Sequence, residues 1–127
     1  MRIIPWRGVV ALLYMAGTLS LSALPGRRVS SWGLTGDQLD LLHIPLFTGL
    51  TLVTLWAIVA PRAQRALVVA SGIVLFAGVD EIVQRWVPGR VASLADFARD
   101  ALGIAMGIGL SELARPVAIA LRRESER

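Results

Sequence analysis

The sequence predicts an all-α fold, an integral membrane bundle of four transmembrane helices with both termini on the cytoplasmic side. The chain is 55% hydrophobic, its mean hydropathy is +0.65, and only 17% of its 127 residues are charged. A soluble domain of this length needs more polar residues to cover its surface. A single domain, residues 1–127, is expected because no linker separates two cores.

Four apolar stretches are the predicted transmembrane helices, at about residues 8–24, 39–60, 66–86 and 94–114. Each approaches the roughly 20 residues that cross a hydrocarbon core, and the first is the shortest. Tryptophans occur at or near the predicted ends, as expected for an interfacial belt. These are Trp6, Trp32, Trp56 and Trp86.

Prolines indicate where the predicted helices end, because proline breaks the helical hydrogen-bond ladder. Those that follow a stretch are Pro25, Pro61, Pro88 and Pro116. Pro45 lies early in the second stretch and predicts a kink or a late start there. The charged segment 117–127 is predicted to be a solvated cytoplasmic tail.

The first stretch has an alternative interpretation as a cleaved signal peptide. Arg2 and Arg7 precede a short apolar run, and the small residues of Ser20–Ala23 resemble a cleavage site. Three further predicted spans follow, which favours a retained helix.

The distribution of arginines predicts the orientation, since positive charges concentrate on the cytoplasmic side. All 13 basic residues are arginine, and a cytoplasmic N-terminus places eight of them inside and five outside. Two outer arginines have acidic helical neighbours, Glu81 four residues before Arg85 and Asp96 three before Arg99. Both termini are therefore predicted to be cytoplasmic.

Polar residues concentrate between Asp80 and Gly103, where a membrane-like sequence makes them costly and therefore candidates for function. In the predicted topology, the start of the second helix, the end of the third and the start of the fourth meet at the outer face. Asp37 and Asp40 lie near this face as well. The predicted functional cluster comprises His43, Asp80, Glu81, Gln84, Arg90, Asp96 and Asp100.

Among these candidates, Asp80 and Asp100 are the two for which a purely structural role, such as helix capping, explains least. Asp80 shares a helical face with Gln84, and Asp96 shares one with Asp100, because each pair is four residues apart. Both carboxyl groups are expected roughly 9–10 Å inside their helix ends, at 1.5 Å per residue. Carboxylates that meet at this depth need Arg90, His43 or a cation to neutralise them.

The other candidates also have structural interpretations. Ser93–Asp96 has the spacing of a capping box, so Asp96 can serve as a cap. Thr35–Gln38 has the same spacing, and Asp37 and Asp40 suit a helix N-terminus. His43 can be an interior hydrogen-bonded residue, and Arg90 an interfacial anchor.

Gly103 and Gly107 have the GxxxG spacing that allows another helix to approach closely. Packing within the bundle is the expected use, and a homodimer through the fourth helix is the alternative. No metal or cofactor is predicted, because the chain has one His and no Cys. Nucleic acid is not an expected partner, since no dense basic face is present.

The segments DEIVQRWVPGR (80–90) and DFARDALGIAMG (96–107) resemble the VanZ-like family of bacterial membrane proteins. The family pattern is D/Y-E-x-x-Q-x-x-x-P-G-R, then D-x-x-x-N/D-x-x-G-x-x-x-G. The family's D-K-x-x-H segment corresponds to residues 39–43 of this chain. Here the Lys is absent, and the acidic residue, Asp40, is shifted by one position. The matching residues are His43, Glu81, Gln84, Pro88, Gly89, Arg90, Asp96, Asp100 and Gly103.

This resemblance implies a multi-pass cell-envelope protein. One relative in the family is linked to antibiotic resistance, against the glycopeptide teicoplanin. The resemblance does not imply a particular reaction. The predicted function is an outward-facing polar pocket that modulates glycopeptide susceptibility or binds a lipid headgroup or cell-wall precursor. Membrane lipids are therefore the expected partners, with a lipid-linked precursor or a glycopeptide as ligand. One alternative is an intramembrane enzyme using acid/base chemistry, which the absence of a catalytic motif disfavours. A small proton-coupled carrier using Asp80 and Asp100 is another.

Overall fold

The computed structural model describes residues 1–25, 28, 31, 33, 36–90, 93–125 and 127. Its helices are α1 (Pro5–Ser22), α2 (Gly36–Leu41), α3 (His43–Ala57), α4 (Arg62–Gln84) and α5 (Leu94–Ser125). Two short strands, β1 (Arg2–Ile3) and β2 (Ile58–Val59), accompany these helices. The prediction of an all-α fold is confirmed apart from these strands. Trp32 and Thr35 lie outside the described residues.

The four longer helices alternate in direction along the chain. Ser22, near the end of α1, contacts Asp80 near the end of α4. His43, at the start of α3, contacts Asp100 in the second turn of α5. The ends of α1 and α4 and the starts of α3 and α5 therefore lie together at one end of the bundle.

The opposite end is closed by the chain's N-terminus. Arg2 pairs with Val59 and Ile3 with Ile58 in an antiparallel two-stranded ladder. The guanidinium of Arg7 lies 4.6 Å from the Trp56 ring centroid, a cation–π contact, and donates to the Trp56 carbonyl at 3.2 Å. This donation satisfies a carbonyl in the last turn of α3 that has no partner in its own helix.

The predicted second helix, 39–60, is divided in the structure. A turn at Leu42 separates α2 from α3, and β2 replaces the predicted last turn. Pro45 therefore occupies the first turn of α3, where its missing N–H has no helical acceptor to lose. The 15-residue helix that remains is shorter than the 22 residues predicted.

Among the described residues, α4 is the one helix long and apolar enough to cross a membrane. Its 23 residues begin four positions before the predicted start at 66 and end two before the predicted end. α3 is apolar but shorter, and α1 has 18 residues. The described residues therefore do not contain four helices that are each long and apolar enough to span a membrane.

The last helix continues well beyond the predicted end at 114. α5 extends to Ser125 with Pro116 inside it, so the prediction that Pro116 terminates the helix is wrong. The residues after Pro116 are mostly Ala, Leu and Arg, which are strong helix formers. Most of segment 117–127, predicted to be a solvated cytoplasmic tail, is consequently part of this helix.

The apolar core lies mainly between α3, α4 and α5. Phe47, Leu50, Val69, Ile73 and Ala77 are almost completely buried in it.

Two glycines bring α5 against α3. A Cβ on Gly103 would lie 2.6 Å from the Ile44 carbonyl oxygen, and one on Gly107 would lie 2.6 Å from the Thr51 Cβ. Any larger residue would collide with backbone or with a β-branched side chain. This face of α5 is therefore covered by α3 of the same chain rather than open to a second copy.

Candidate functional site

One end of the bundle contains a cluster of buried polar side chains, which we call the polar cluster. Each of its members is more than nine-tenths buried. The members are Ser22, His43, Asp80, Glu81, Gln84, Asp96 and Asp100. Four helix ends converge there: the end of α1, the start of α3, the end of α4 and the start of α5.

The His43 imidazole and the Asp100 carboxylate form a hydrogen-bonded pair in the polar cluster. The His43 Nδ1 lies 2.8 Å from the Asp100 Oδ1, and the Asp100 side chain is completely buried. His43 also interacts electrostatically with Asp80 and Asp96. The imidazole ring lies parallel to that of Phe47, one helical turn away, with 6.4 Å between centroids. The Asp100 carboxylate and the Phe47 ring thereby hold the His43 imidazole in both position and orientation.

Asp80 is held by donors from two helices. Its Oδ2 accepts hydrogen bonds from the Ser22 Oγ at 2.8 Å and from the Gln84 Nε2 at 3.1 Å. The Asp80 and Asp100 carboxyls also interact electrostatically with each other, and His43 interacts electrostatically with both of them. The structure therefore brings the two deep carboxyls into one electrostatic unit.

Glu81 contributes to the start of the neighbouring helix. Its Oε2 accepts a hydrogen bond from the Ser93 backbone N–H at 3.1 Å. The Ser93 Oγ accepts from the Asp96 N–H at 3.1 Å and donates to the Asp96 Oδ2 at 2.9 Å. In a capping box Asp96 would accept the Ser93 N–H itself, and here Glu81 takes that place. The cap of α5 is therefore shared between two helices.

Three carboxylate oxygens in the polar cluster have no hydrogen-bond partner among the described residues. These atoms are the Asp80 Oδ1, the Glu81 Oε1 and the Asp100 Oδ2, and all three are buried. A buried oxygen without a donor costs about 1–3 kcal/mol, and more if it is charged. Within the described part of the chain, no three His, Cys, Asp or Glu side chains could hold a metal ion. A proton, an ordered water or a ligand's donor group would satisfy these atoms.

The arginines lie around the polar cluster rather than inside it. The Arg90 Nε lies 3.4 Å from the Leu24 carbonyl oxygen, which ties the loop after α4 to the end of α1. Across the described ranges, Arg90 forms no ion pair with an acidic side chain. Arg99 instead forms ion pairs with Asp96 and, at 3.6 Å, with Asp40. Arg90 is thus placed beside the polar cluster without neutralising it.

A cavity of about 310 Å³ opens next to the polar cluster, between the end of α4 and the start of α5. It is lined by Glu81, Arg85, Ser93, Leu94 and Phe97. One wall is thus charged and another apolar, an arrangement typical of small-ligand sites. Glu81 is the member of the polar cluster that reaches this cavity.

Sequence reasoning overlooked the role of Ser22. In the sequence, Ser22 is interpreted only as part of the small-residue run that resembles a cleavage site. Ser22 lies near the predicted end of the first helix, which the predicted topology places at the outer membrane face together with the polar cluster. This position is the signal that could have identified it. The structure describes Asp37 only as part of the α2 backbone, and Asp40 joins the site through Arg99.

Comparisons with protein-family models, curated proteins and solved structures give no match to this chain. The motif resemblance to the VanZ-like family therefore stays a prediction.

Proposed function

We propose that this chain is a multi-pass membrane protein of VanZ-like type, located in the bacterial cytoplasmic membrane. Its polar cluster and the adjacent cavity bind the headgroup of a lipid or of a lipid-linked cell-wall precursor. The observation that carries the proposal is the set of three buried carboxylates, each with an oxygen that has no partner in the described part of the chain, beside a cavity that one of them lines. Most buried side-chain polar atoms in native proteins have a hydrogen-bond partner, so three such oxygens in one cluster favour a binding role.

The distribution of polar and apolar side chains supports a lipid environment. Leu12, Leu67, Leu75 and Leu113 are each at least 67% exposed, whereas the charged Asp100 is completely buried. Soluble proteins arrange these residue types in the opposite way, with large apolar patches rare on the surface. Contact with lipid acyl chains around the bundle would make the exposure of these apolar side chains favourable.

The dimensions of α4 agree with a membrane span. Its 23 residues extend about 34 Å at 1.5 Å per residue, against a hydrocarbon core of roughly 30 Å. Only 22% of its most apolar 18-residue window is buried, unlike the core helix of a soluble protein. The shorter α1 and α3 would cross with help from their flanking turns, so the four-span bundle remains part of the proposal.

The polar cluster would lie at the depth of the headgroups. It occupies one end of the bundle, next to Trp86, which is 84% exposed after the end of α4. Trp6 and Trp56 occupy the opposite end, where their rings meet edge to face at 4.8 Å. Tryptophans at both ends suit the two interfaces of a membrane. A ligand entering the cavity would therefore come from the interfacial region.

Binding of lipids by the purified full chain in lipid nanodiscs tests the proposed function. Asp100→Asn and Arg85→Gln should reduce the lipid that remains bound after exchange into detergent, whereas Glu112→Gln, which pairs with Arg62 at the other end of the bundle, should not. The same variants tested for teicoplanin susceptibility in cells examine the role implied by the resemblance. Equal lipid retention by all of these proteins would refute headgroup binding at this site.

A second candidate function is acid/base catalysis on a lipid-linked substrate, and the His43–Asp100 pair favours it. A carboxylate at 2.8 Å from Nδ1 orients an imidazole and leaves Nε2 as the nitrogen that exchanges protons. Release of labelled headgroup from lipid by the purified protein, abolished in His43→Gln, would support this function. Absence of release by the wild-type protein would count against it.

A further inference from the structure

We infer that the cavity beside Glu81 recognises a phosphoethanolamine headgroup carried by a membrane lipid, with the ammonium group on Glu81 and the phosphate on Arg85. This inference rests on the proposed function and specifies its ligand. Three observations lead to it. Glu81, which lines the cavity, has a buried carboxylate oxygen without a partner among the described residues; Arg85 forms no ion pair with a described acid; and one wall of the cavity is apolar.

The carboxylate of Glu81 provides the position for a donor with positive charge. Its side chain is 9% exposed and lines the cavity. One oxygen, Oε2, is occupied by the Ser93 N–H, while the buried Oε1 has no partner in the described segments. A primary ammonium group supplies both the N–H donor and the charge that this oxygen lacks.

Arg85 provides the position for an anion. It follows α4 directly, is exposed, and lines the same cavity as Glu81. Although Glu81 precedes it by four residues, the two form no ion pair, and Arg85 forms none with any other described acid. Its guanidinium is therefore available for a phosphate, which it binds with two parallel hydrogen bonds.

The apolar part of the cavity explains why the ligand should be a lipid rather than a soluble amine. Leu94 is 89% exposed and Phe97 lines the cavity beside it. Together they give the ligand's glycerol and acyl portion a surface next to the charged positions. A volume of about 310 Å³ lies at the lower end of the range of small-ligand sites and suits a headgroup.

The same geometry predicts discrimination between headgroups. A choline headgroup carries the positive charge but has no N–H, so the Glu81 Oε1 would remain without a donor. A glycerol headgroup has hydroxyl donors but no positive charge. Because a hydrogen bond between charged groups contributes about 1.5–3 kcal/mol, ethanolamine should be preferred to choline about tenfold or more.

Native mass spectrometry of the full chain in detergent tests this preference, with phosphatidylethanolamine, phosphatidylcholine and phosphatidylglycerol of identical acyl chains as probes. Wild type should bind the ethanolamine lipid about tenfold more tightly than the choline lipid. Glu81→Gln should lose this preference and retain binding of the choline lipid, because glutamine still accepts the Ser93 N–H. Arg85→Gln should weaken all three lipids, and Glu112→Gln serves as the matched control at the other end of the bundle.

The outcomes separate this inference from the proposed function. Equal affinity of wild type for the three lipids, or an unchanged preference in Glu81→Gln, would overturn the ethanolamine assignment while Arg85→Gln still reports on headgroup binding. If Arg85→Gln and Asp100→Asn also bound every lipid as wild type does, the proposed function would fail too. Competition by soluble glycerophosphoethanolamine at the lipid's own concentration would show that the ligand need not be membrane-borne. Equal thermal midpoints for the variants and wild type would establish that folding is unaffected.

Discussion

Replacing Gly103 with Ala should separate α5 from α3, because the added methyl group has no space. Its Cβ would lie 2.6 Å from the Ile44 carbonyl oxygen and 2.9 Å from the Phe47 Cβ. Ordinary contact at such a carbon begins at about 3.4 Å, so the helices must move apart by roughly 0.8 Å. The backbone oxygen cannot rotate away, and the displacement is therefore unavoidable.

Three contributions determine the magnitude. Overpacking at a helix contact costs about 1–3 kcal/mol. The hydrogen bond from the Thr48 Oγ1 to the Gly103 carbonyl, 3.1 Å long, would lengthen at a cost of about 1 kcal/mol. Alanine has a higher helix propensity than glycine, which returns about 1 kcal/mol. Gly103→Ala should therefore lower the free energy of unfolding by about 1–3 kcal/mol.

Gly109→Ala is the matched control, because it lies on the same helix and a Cβ there meets nothing within 4 Å. This variant keeps only the gain in helix propensity and should be about 0–1 kcal/mol more stable than wild type. Reversible unfolding of the full chain in mixed detergent micelles, followed by circular dichroism, measures both. If Gly103→Ala unfolds at the same midpoint as Gly109→Ala, α5 does not approach α3 as described and the reasoning is refuted.

Three further predictions concern hydrogen bonding, surface charge and orientation. Ser22→Ala should cost about 1–3 kcal/mol in the same unfolding assay because it removes a donor from a buried carboxylate. Ser20→Ala is the control and should cost under about 0.5 kcal/mol, because the exposed Ser20 hydroxyl bonds only to its own helix. Glu112→Gln breaks an ion pair with a 62% exposed partner and should change stability by less than about 1 kcal/mol; a larger loss would show that this pair is not a surface contact. The chain contains no cysteine, so Pro88→Cys should react with an impermeant maleimide on intact cells, and Glu124→Cys only after permeabilisation; the reverse pattern would invert the proposed topology.

Some parts of the site could be predicted because they follow from helical periodicity and chain direction. Spacing of four residues places Asp80 beside Gln84, and their side chains are hydrogen-bonded. Alternating helix directions bring His43 to the same end of the bundle as Asp100. These inferences need only the number of helices and their approximate lengths.

Other parts could not be predicted because they depend on how the helices are rotated against each other. Nothing local indicates that Glu81 accepts the N–H of Ser93, 12 residues later, in place of Asp96. Arg90 was a reasonable counter-charge by distance along the chain, yet its guanidinium contacts the Leu24 carbonyl instead. Likewise, Arg99 pairs with Asp40 only because α2 lies near the start of α5.

The amino-acid sequence alone determined that this protein is helical and richly apolar, and that its acids occur at helical spacing near one end of the bundle. Those properties follow from local hydrogen bonding and side-chain hydropathy, which neighbouring residues set. Only the tertiary structure decided which carboxylate oxygens receive donors and which remain unpartnered beside a cavity. Hydrogen bonds act over about 3 Å, so partners distant in the chain are selected by the rotation and contact of packed helices.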